Sequence, residues 1–156
     1  RPDNRFEMLL GFSEGIYFKM GYLNYTSKYI GILSSLEYYR TSYAALNGDS
    51  TELNGKSLAM LGVLQWTNDG RFVPFVRYGP EYHWWQLASN EVNRKNASLI
   101  LRGEYGFSFR LTKNFYLDFS MHQRIFLDEP PPLLRAPTEE RPRFERKPVV
   151  AFSLVF

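Results

Sequence analysis

Apolar and polar side chains alternate one by one through most of this chain, and that alternation restricts the fold more than any other feature. Between Ala97 and Leu111 the odd-numbered positions carry Ala, Leu, Leu, Gly, Tyr, Phe, Phe and Leu, whereas the even-numbered positions carry Ser, Ile, Arg, Glu, Gly, Ser and Arg. Successive side chains of a β-strand point to opposite faces, so this segment is two-faced as a strand. As a helix it would scatter charge on all sides. The pattern predicts an all-β chain.

Seven further segments show the same alternation, which gives eight candidate strands. An even number of antiparallel strands can close into an up-and-down barrel. The longest run without Asp, Glu, Lys or Arg extends from Ser57 to Asn68. This run is too short for a spanning helix, because such a helix needs roughly 20 mostly apolar residues. The candidate strands cover residues 6–13, 16–22, 30–38, 57–66, 72–84, 97–111, 115–124 and 150–156.

Length and composition exclude several classes of protein. The 156 residues suffice for one domain, so we expect residues 1–156 to form a single barrel. Cysteine is absent, which excludes disulfide scaffolds, thiolate metal sites and cysteine nucleophiles. His83 and His122 are the only histidines and no third ligand is marked by spacing, so we expect neither a metal site nor a cofactor. A net charge of +3 is too small to indicate a nucleic-acid partner.

Two orientations of the alternating faces compete. In a soluble barrel such as a lipocalin the apolar face points inward, whereas in an outer-membrane barrel it faces lipid. Neither Asp, Glu, Lys, Arg nor His occurs on the apolar faces, which both orientations allow. The opposite faces carry five acids and five bases, a balance that favours an enclosed network over the alternative of a solvated surface. The predicted interior network consists of Glu7, Lys19, Glu37, Arg77, Glu81, Arg102, Glu104, Arg110, Asp118 and Arg124.

The connections between the candidate strands alternate in length. Short turns are predicted at residues 26–28, 67–70 and 112–114, and longer loops at 47–55, 88–95 and 128–146, with a tight exception near Gly15. Outer-membrane barrels have short periplasmic turns and longer extracellular loops, so this asymmetry favours the membrane orientation. The last loop is rich in proline, which favours an extended, solvated arm.

Aromatic residues flank the short turns, as in the girdles that anchor membrane barrels at the lipid–water interface. Three further rings near the other ends of the strands, Tyr38, Tyr82 and Trp84, are expected to supply part of the opposite girdle. The predicted interface aromatics are Tyr25, Tyr29, Trp66, Phe72, Tyr82, Trp84, Phe109, Phe115 and Phe156.

The terminal segment Val150–Phe156 is an alternating apolar strand that ends in Phe. It resembles the C-terminal insertion signal of bacterial outer-membrane proteins, and the whole chain resembles the small barrels of the OmpA transmembrane-domain, OmpX and opacity-protein group. The resemblance implies an eight-stranded antiparallel transmembrane barrel in a bacterial outer membrane, with periplasmic termini and extracellular loops. It also implies that the barrel-assembly machinery recognises the strand that ends at Phe156.

The function expected for such a barrel is structural or interactive. Eight strands leave little free lumen, so an open pore is not expected. The resemblance implies contacts with outer-membrane lipid and lipopolysaccharide, and with host or neighbouring surface proteins through the loops. Two alternatives remain, a lipid-modifying hydrolase similar to lipid A deacylases and a narrow channel for small solutes.

A catalytic site, if present, would use the polar face of the seventh strand. Asp118, Ser120 and His122 combine a carboxylate, a hydroxyl and an imidazole on one face. Neighbours at i and i+2 on a strand are about 7 Å apart, too far for direct hydrogen bonds. The sequence therefore favours membership of these three residues in the interior polar network over catalysis.

Three features of the middle strands depart from the simple pattern. Pro74 and Pro80 lie inside the fifth strand and each removes a backbone donor, so we expect a bulge or a strand that protrudes beyond the bilayer. The third strand can be extended to Leu46, longer than the 9–11 residues that span a bilayer. Trp85 breaks the alternation and is expected to be exposed above the membrane.

Overall fold

The computed structural model describes residues 4–12, 15–44, 48–66, 71–90, 93–131 and 142–155, and its regular structure is entirely β-strand. The strands are β1 (Arg5–Phe12), β2 (Ile16–Tyr25), β3 (Ile30–Ala44), β4 (Ser50–Gln65), β5 (Phe72–Ala88), β6 (Asn93–Arg110), β7 (Phe115–Phe126) and β8 (Phe144–Val155). Each strand pairs antiparallel with its sequence neighbours, and β1 pairs with β8 to close the barrel. The predicted eight-stranded antiparallel up-and-down barrel is confirmed.

Strand length differs around the barrel. β1 and β2 have 8 and 10 residues, β7 and β8 have 12 each, and β3 to β6 have between 15 and 18. We call the end with the β2–β3 and β6–β7 turns the turn end, and the end to which β3–β6 extend the loop end. The amides of Thr26 and Leu111 donate across these two turns to the carbonyls of Ile30 and Phe115, each at 2.9 Å, as predicted for short turns.

The predicted loops at 47–55 and 88–95 are wrong in extent, because Ser50–Gly55 belongs to β4 and 93–95 to β6. Here the outward face carries polar residues such as Glu52, which conceals the strand pattern in the sequence. The inward face remains apolar, and Leu53 and Leu87 are only 2% and 0% exposed. The alternation therefore continues beyond the apolar part of the outer wall with polar residues outside and apolar residues inside.

The proline-rich loop is also shorter than predicted at its C-terminal side, because β8 begins at Phe144 rather than Val150. Residues 132–141 of this loop lie outside the described residues, as do the predicted turn at 67–70 and the terminal Phe156.

The orientation of the two faces is that of a membrane barrel. Leu99 and Phe119 point outward with 39% and 36% of their surfaces exposed, whereas Arg102 and Glu104 point inward and are 0% and 2% exposed. Large exposed hydrophobic side chains occur on the outward face of every strand. Within the described ranges, no helix is long and apolar enough to cross a membrane.

The prolines of β5 produce no bulge. The register with β6 continues without interruption through Pro74↔Phe107 and Pro80↔Leu101. On the β4 side the pairing stops after Ala59↔Glu81 and resumes at Gly62↔Tyr78 in the same register. Pro80 has no backbone N–H to donate, and the pairing of β5 with β4 is interrupted beside it. No extra residue is inserted, because the pairing with β6 holds β5 straight.

Apolar side chains form buried clusters in the lumen towards both ends of the barrel. Towards the turn end, the buried cluster consists of Leu23, Leu33, Ala59, Leu61 and Val63. Towards the loop end, Leu53 and Leu87 form a cluster with Trp85.

The prediction that Trp85 is exposed is wrong, because its side chain is 3% exposed and its Nε1 donates to Ser98 Oγ at 3.2 Å. Trp85 preserves the alternation of β5, in which odd-numbered residues from Val73 to Leu87 point inward. Trp85 was expected to be exposed because an apolar ring breaks the alternation of a polar inner face, but the inner face is apolar towards the loop end.

A charged residue on the apolar part of the outer wall is expected to destabilise the barrel in a bilayer. Leu36→Arg places a guanidinium among lipid-facing residues and is expected to lower the free energy of unfolding by about 2–4 kcal/mol. Ser42→Arg, on the same face of β3 near the loop end, is the matched control and is expected to change it by about 0–1 kcal/mol. Urea unfolding in phospholipid vesicles measures both values, and equal losses would contradict a lipid-facing wall.

Candidate functional site

The centre of the lumen holds a network of buried ion pairs organised around Arg102 on β6. The Arg102 side chain has no solvent exposure, and its Nη1 lies 2.7 Å from Glu37 Oε2 and 3.1 Å from Glu81 Oε2. Its Nη2 contacts Glu104 Oε1 and lies 3.4 Å from His122 Nδ1. One guanidinium thus joins carboxylates from β3, β5 and β6. Each of these carboxylates points to the barrel axis because it occupies an inward position of its strand.

Further cations surround the same carboxylates. Lys19 Nζ lies 3.2 Å from Glu104 Oε1 and 3.4 Å from Glu37 Oε1. Arg124 Nη2 lies 3.4 Å from Glu81 Oε1, and Arg77 bridges Glu104 and Glu7 at 3.4 Å each. The connected residues are the acids Glu7, Glu37, Glu81 and Glu104 and the bases Lys19, Arg77, Arg102 and Arg124.

The equal numbers of acids and bases matter because these groups are buried. A charge removed from water carries a penalty of several kcal/mol, which only close and well-bonded partners offset. Every member of this set has at least one oppositely charged partner within 4.0 Å. We call these eight residues the luminal ion network.

Two of the ten residues predicted for the interior network lie outside it. Asp118 is buried near the turn end, where it accepts a hydrogen bond from Ser153 Oγ at 2.6 Å instead of an ion pair. Arg110 is the last residue of β6, and its Nε donates to the carbonyl of Thr112 in the adjacent turn at 3.3 Å. Both side chains have the predicted parity, but they lie too near the turn end to join the central ion pairs.

The structure does not assemble the candidate catalytic residues. His122 directs its Nδ1 to Arg102, and its Nε2 lies 4.0 Å from Glu104. Asp118 is engaged by the hydroxyl of Ser153 on the neighbouring strand rather than by Ser120 or His122. The three side chains share a face of β7, as predicted, without forming a nucleophile, base and orienting group.

Most of the predicted interface aromatics point outward. Five outward rings have exposures of 42% to 51%, and Phe115 is half-buried because it stacks on Phe152 at 5.8 Å with an interplanar angle of 4°. Trp84, at 46%, is packed edge-on against Tyr82 with 4.7 Å between ring centroids. The five rings are Tyr29, Trp66, Phe72, Tyr82 and Phe109.

The prediction for Tyr25 is wrong. Its side chain points inward, and its hydroxyl donates to Gln65 Oε1 at 3.2 Å beside the apolar cluster of the turn end. Tyr25 has the parity of Lys19 and Leu23, both of which are buried, rather than that of Tyr22, which is 47% exposed. Its position beside a turn suggested an interface ring, but its parity along β2 places it in the lumen.

A cavity above the luminal ion network was not predicted from the sequence. It lies between the network and the loop end, and its lining includes Tyr39 and His83, which contact each other through Tyr39 Oη and His83 Nε2. A Cβ at Gly55, which pairs with Tyr39, would overlap the tyrosine ring. The glycine that accommodates Tyr39 can be recognised only once the register is known. Further lining residues are Tyr17, Glu37, His122, Arg124, Glu145 and Lys147.

In the part of the chain that is described, no group of three or more His, Asp or Glu side chains is arranged to hold a metal ion. The carboxylates of the luminal ion network are instead engaged by Lys and Arg.

Comparisons with known proteins identify the fold. No family model and no curated protein matches this sequence. Among solved structures, the N-terminal β-barrel domain of Pseudomonas aeruginosa OprF superposes with a TM-score of 0.67 at 10% identity, covering 98% of this chain and 96% of that one. The chain has the fold of the small outer-membrane barrels.

Two further barrels support this assignment. A major outer membrane protein from Thermus thermophilus gives a TM-score of 0.68 at 10% identity and covers 99% of this chain and 100% of that one. Neisserial surface protein A gives 0.62 at 11% identity, with 98% and 94% covered. The predicted resemblance to small outer-membrane barrels is confirmed at the level of fold.

Breaking the luminal ion network is expected to destabilise this small barrel strongly. Arg102→Met preserves side-chain length but leaves Glu37, Glu81 and Glu104 without their shared cation, so we expect a loss of about 3–5 kcal/mol. Arg40→Met, which breaks an exposed ion pair with Glu52, is the control and should cost far less. Equilibrium unfolding in detergent or vesicles compares the two. A small effect of Arg102→Met would show that the network contributes little to stability.

Proposed function

We propose that this protein is an integral outer-membrane barrel whose lumen is closed by the luminal ion network and which acts as a structural and surface-interaction protein through its loop end. The observation that most strongly supports this proposal is the fully buried guanidinium of Arg102, which is bound to carboxylates from three strands at the centre of the lumen. The exposed apolar outer wall and the similar fold of known outer-membrane barrels support the location.

The luminal ion network supports a closed barrel rather than a channel. An eight-stranded barrel is just wide enough to be filled by its own side chains. Here Lys19 and Glu104, from β2 and β6, meet across the interior at 3.2 Å. The apolar clusters around Leu61 and Trp85 occupy the lumen towards the two ends. The proposed role therefore assigns recognition to the outside of the barrel.

The loop end supports the role in surface interaction. β3–β6 continue beyond the apolar wall, and their outward residues become polar from Arg40 on β3 and from Lys56 on β4. We assign the loop end to the extracellular side and the turn end, where β1 begins and β8 ends, to the periplasm. The proposed partners are outer-membrane lipid, lipopolysaccharide and host or neighbouring surface proteins. The assembly machinery would recognise β8.

The hydrolase alternative has no support from the described geometry, because the nitrogens of His122 face Arg102 and Glu104 rather than Ser120. The channel alternative would need a continuous water path past Arg102, whose side chain is fully buried.

Conductance in planar bilayers tests whether the network closes the lumen. The wild type is expected to give no steady conductance, and Arg102→Ala/Glu104→Ala is expected to raise it, because two central side chains are removed without a change in net charge. Arg40→Ala/Glu52→Ala removes one acid and one base from the exterior and is expected to behave as the wild type. Steady wild-type conductance equal to that of the Arg102→Ala/Glu104→Ala variant would contradict a closed lumen.

The absence of native cysteine permits a direct test of orientation. Ser50→Cys, at the exposed start of β4, is expected to react with a membrane-impermeant maleimide on intact cells. Lys113→Cys, in the β6–β7 turn, is expected to react only after the outer membrane is permeabilised. The opposite pattern of labelling would reverse the assignment of the two ends and remove the proposed role in surface interaction.

A further inference from the structure

Two lysines and an indole ring lie together on the outward face of the barrel, in a groove formed by β3–β6 near the loop end. Lys56 pairs across strands with Tyr38 on one side and Trp84 on the other. In the next row towards the loop end, Gln86 pairs with Lys95. We call this surface the lysine–indole groove; it is lined by Tyr38, Asn54, Lys56, Trp84, Gln86 and Lys95.

The groove lies at the boundary between the apolar and polar parts of the outer wall. One outward row below it, towards the turn end, the paired residues are Leu36, Leu58, Tyr82 and Leu99. These three leucines are 55%, 50% and 39% exposed. In the opposite direction the outward pair is Ser42 and Glu52. A lipid whose acyl chains cover the leucines therefore has its headgroup at the level of the groove.

The positive charge of the groove is not compensated within the described residues. Neither Lys56 nor Lys95 has an ion pair or hydrogen-bond partner there. The outward acid of the same stretch of β4 is Glu52, which is already engaged. Its Oε2 lies 2.8 Å from Arg40 Nη2, and its Oε1 accepts a hydrogen bond from Asn54 Nδ2 at 2.6 Å. The two ammonium groups therefore remain available to an external anion.

The aromatic part of the groove is held in place. Trp84 packs edge-on against Tyr82 with an interplanar angle of 78°. The next residue, Trp85, is anchored inside the barrel by its hydrogen bond to Ser98, so the backbone of β5 is fixed at this point. Indole rings at membrane interfaces combine an apolar face with a polar edge. An exposed indole face of this kind suits the C–H face of a sugar ring.

We infer that the lysine–indole groove binds the phosphorylated sugar headgroup of an outer-leaflet glycolipid. Lys56 and Lys95 bind the phosphate through charge-assisted hydrogen bonds. Trp84 packs against the sugar ring, and the amide of Gln86 bonds to its hydroxyls. The continuity of the groove with Leu58 and its neighbours argues for a lipid rather than a free sugar phosphate. This inference rests on the proposed function, because it assigns the loop end to the outer leaflet.

Binding of diphosphoryl lipid A to the purified, folded barrel in phosphatidylcholine bicelles tests the inference. Lys56→Gln/Lys95→Gln is expected to weaken binding about thirtyfold, as two lost lysine–headgroup attractions imply. Lys28→Gln/Lys113→Gln removes the same charge from the turn end and is expected to leave binding within about twofold of the wild type. Trp84→Leu is expected to weaken binding of both the phosphorylated and the dephosphorylated lipid.

Two other ligands distinguish recognition of the phosphorylated lipid headgroup from binding of the lipid alone or of free phosphate. Dephosphorylated lipid A is expected to bind the wild type weakly and to be insensitive to the lysine substitutions, whereas inorganic phosphate is expected not to displace the lipid. Equal binding by both lysine double variants, or displacement by millimolar phosphate, would overturn the inference. Heat-modifiable gel mobility establishes that each variant is folded.

The outcome is independent of orientation in the cell, because both barrel ends are accessible in bicelles. Failure of lipid A to bind therefore refutes the groove while leaving the proposed function intact. Reversed labelling of Ser50→Cys and Lys113→Cys refutes the proposed orientation while leaving the chemistry of the groove intact.

Discussion

The attraction between Arg102 and the glutamates around it holds together a lumen that would otherwise be unfavourable. Eight charged groups meet in a space largely closed to solvent, where an unpaired charge costs several kcal/mol and a pair at 2.7–3.4 Å offsets that cost. Because these charges occupy the inward positions, the outward positions along the middle of the barrel are mostly apolar. The lipid-facing wall and the charged interior are thus two consequences of one alternation.

The parity of the sequence predicted the strands and their number, whereas the inward direction of residues such as Arg102 and Glu104 was predicted from the balance of charges, the alternation of loop lengths and the placement of aromatic rings. The predictions were wrong where a residue was assigned from its local surroundings in the sequence instead of from its parity along the strand. Tyr25 was assigned from its position beside a turn, and Trp85 because an apolar ring breaks the alternation of a polar inner face, yet both point inward with their strands. The first part of β4 was missed because Glu52 and Asn54 on its outer face suggested a loop, although Leu53 between them is buried.

Contacts from one strand to the next could not be predicted because they depend on register. The sequence placed Asp118, Ser120 and His122 on one face, but only the pairing of β6 with β7 shows that His122 is opposite Glu104. The lysine–indole groove is a similar case. Lys56, Trp84 and Lys95 are far apart in the chain, and they come together because β4, β5 and β6 pair in one particular register.

The separation of charged partners along the chain has a consequence for how the barrel forms. Lys19 and Glu104 are 85 positions apart, and Arg77 reaches Glu7 across 70. A sheet that has assembled only some of its strands would carry carboxylates and guanidinium groups without their counterparts. Such intermediates must stay hydrated or rise in energy. We therefore expect water to leave the interior only when strands far apart in the chain have come together.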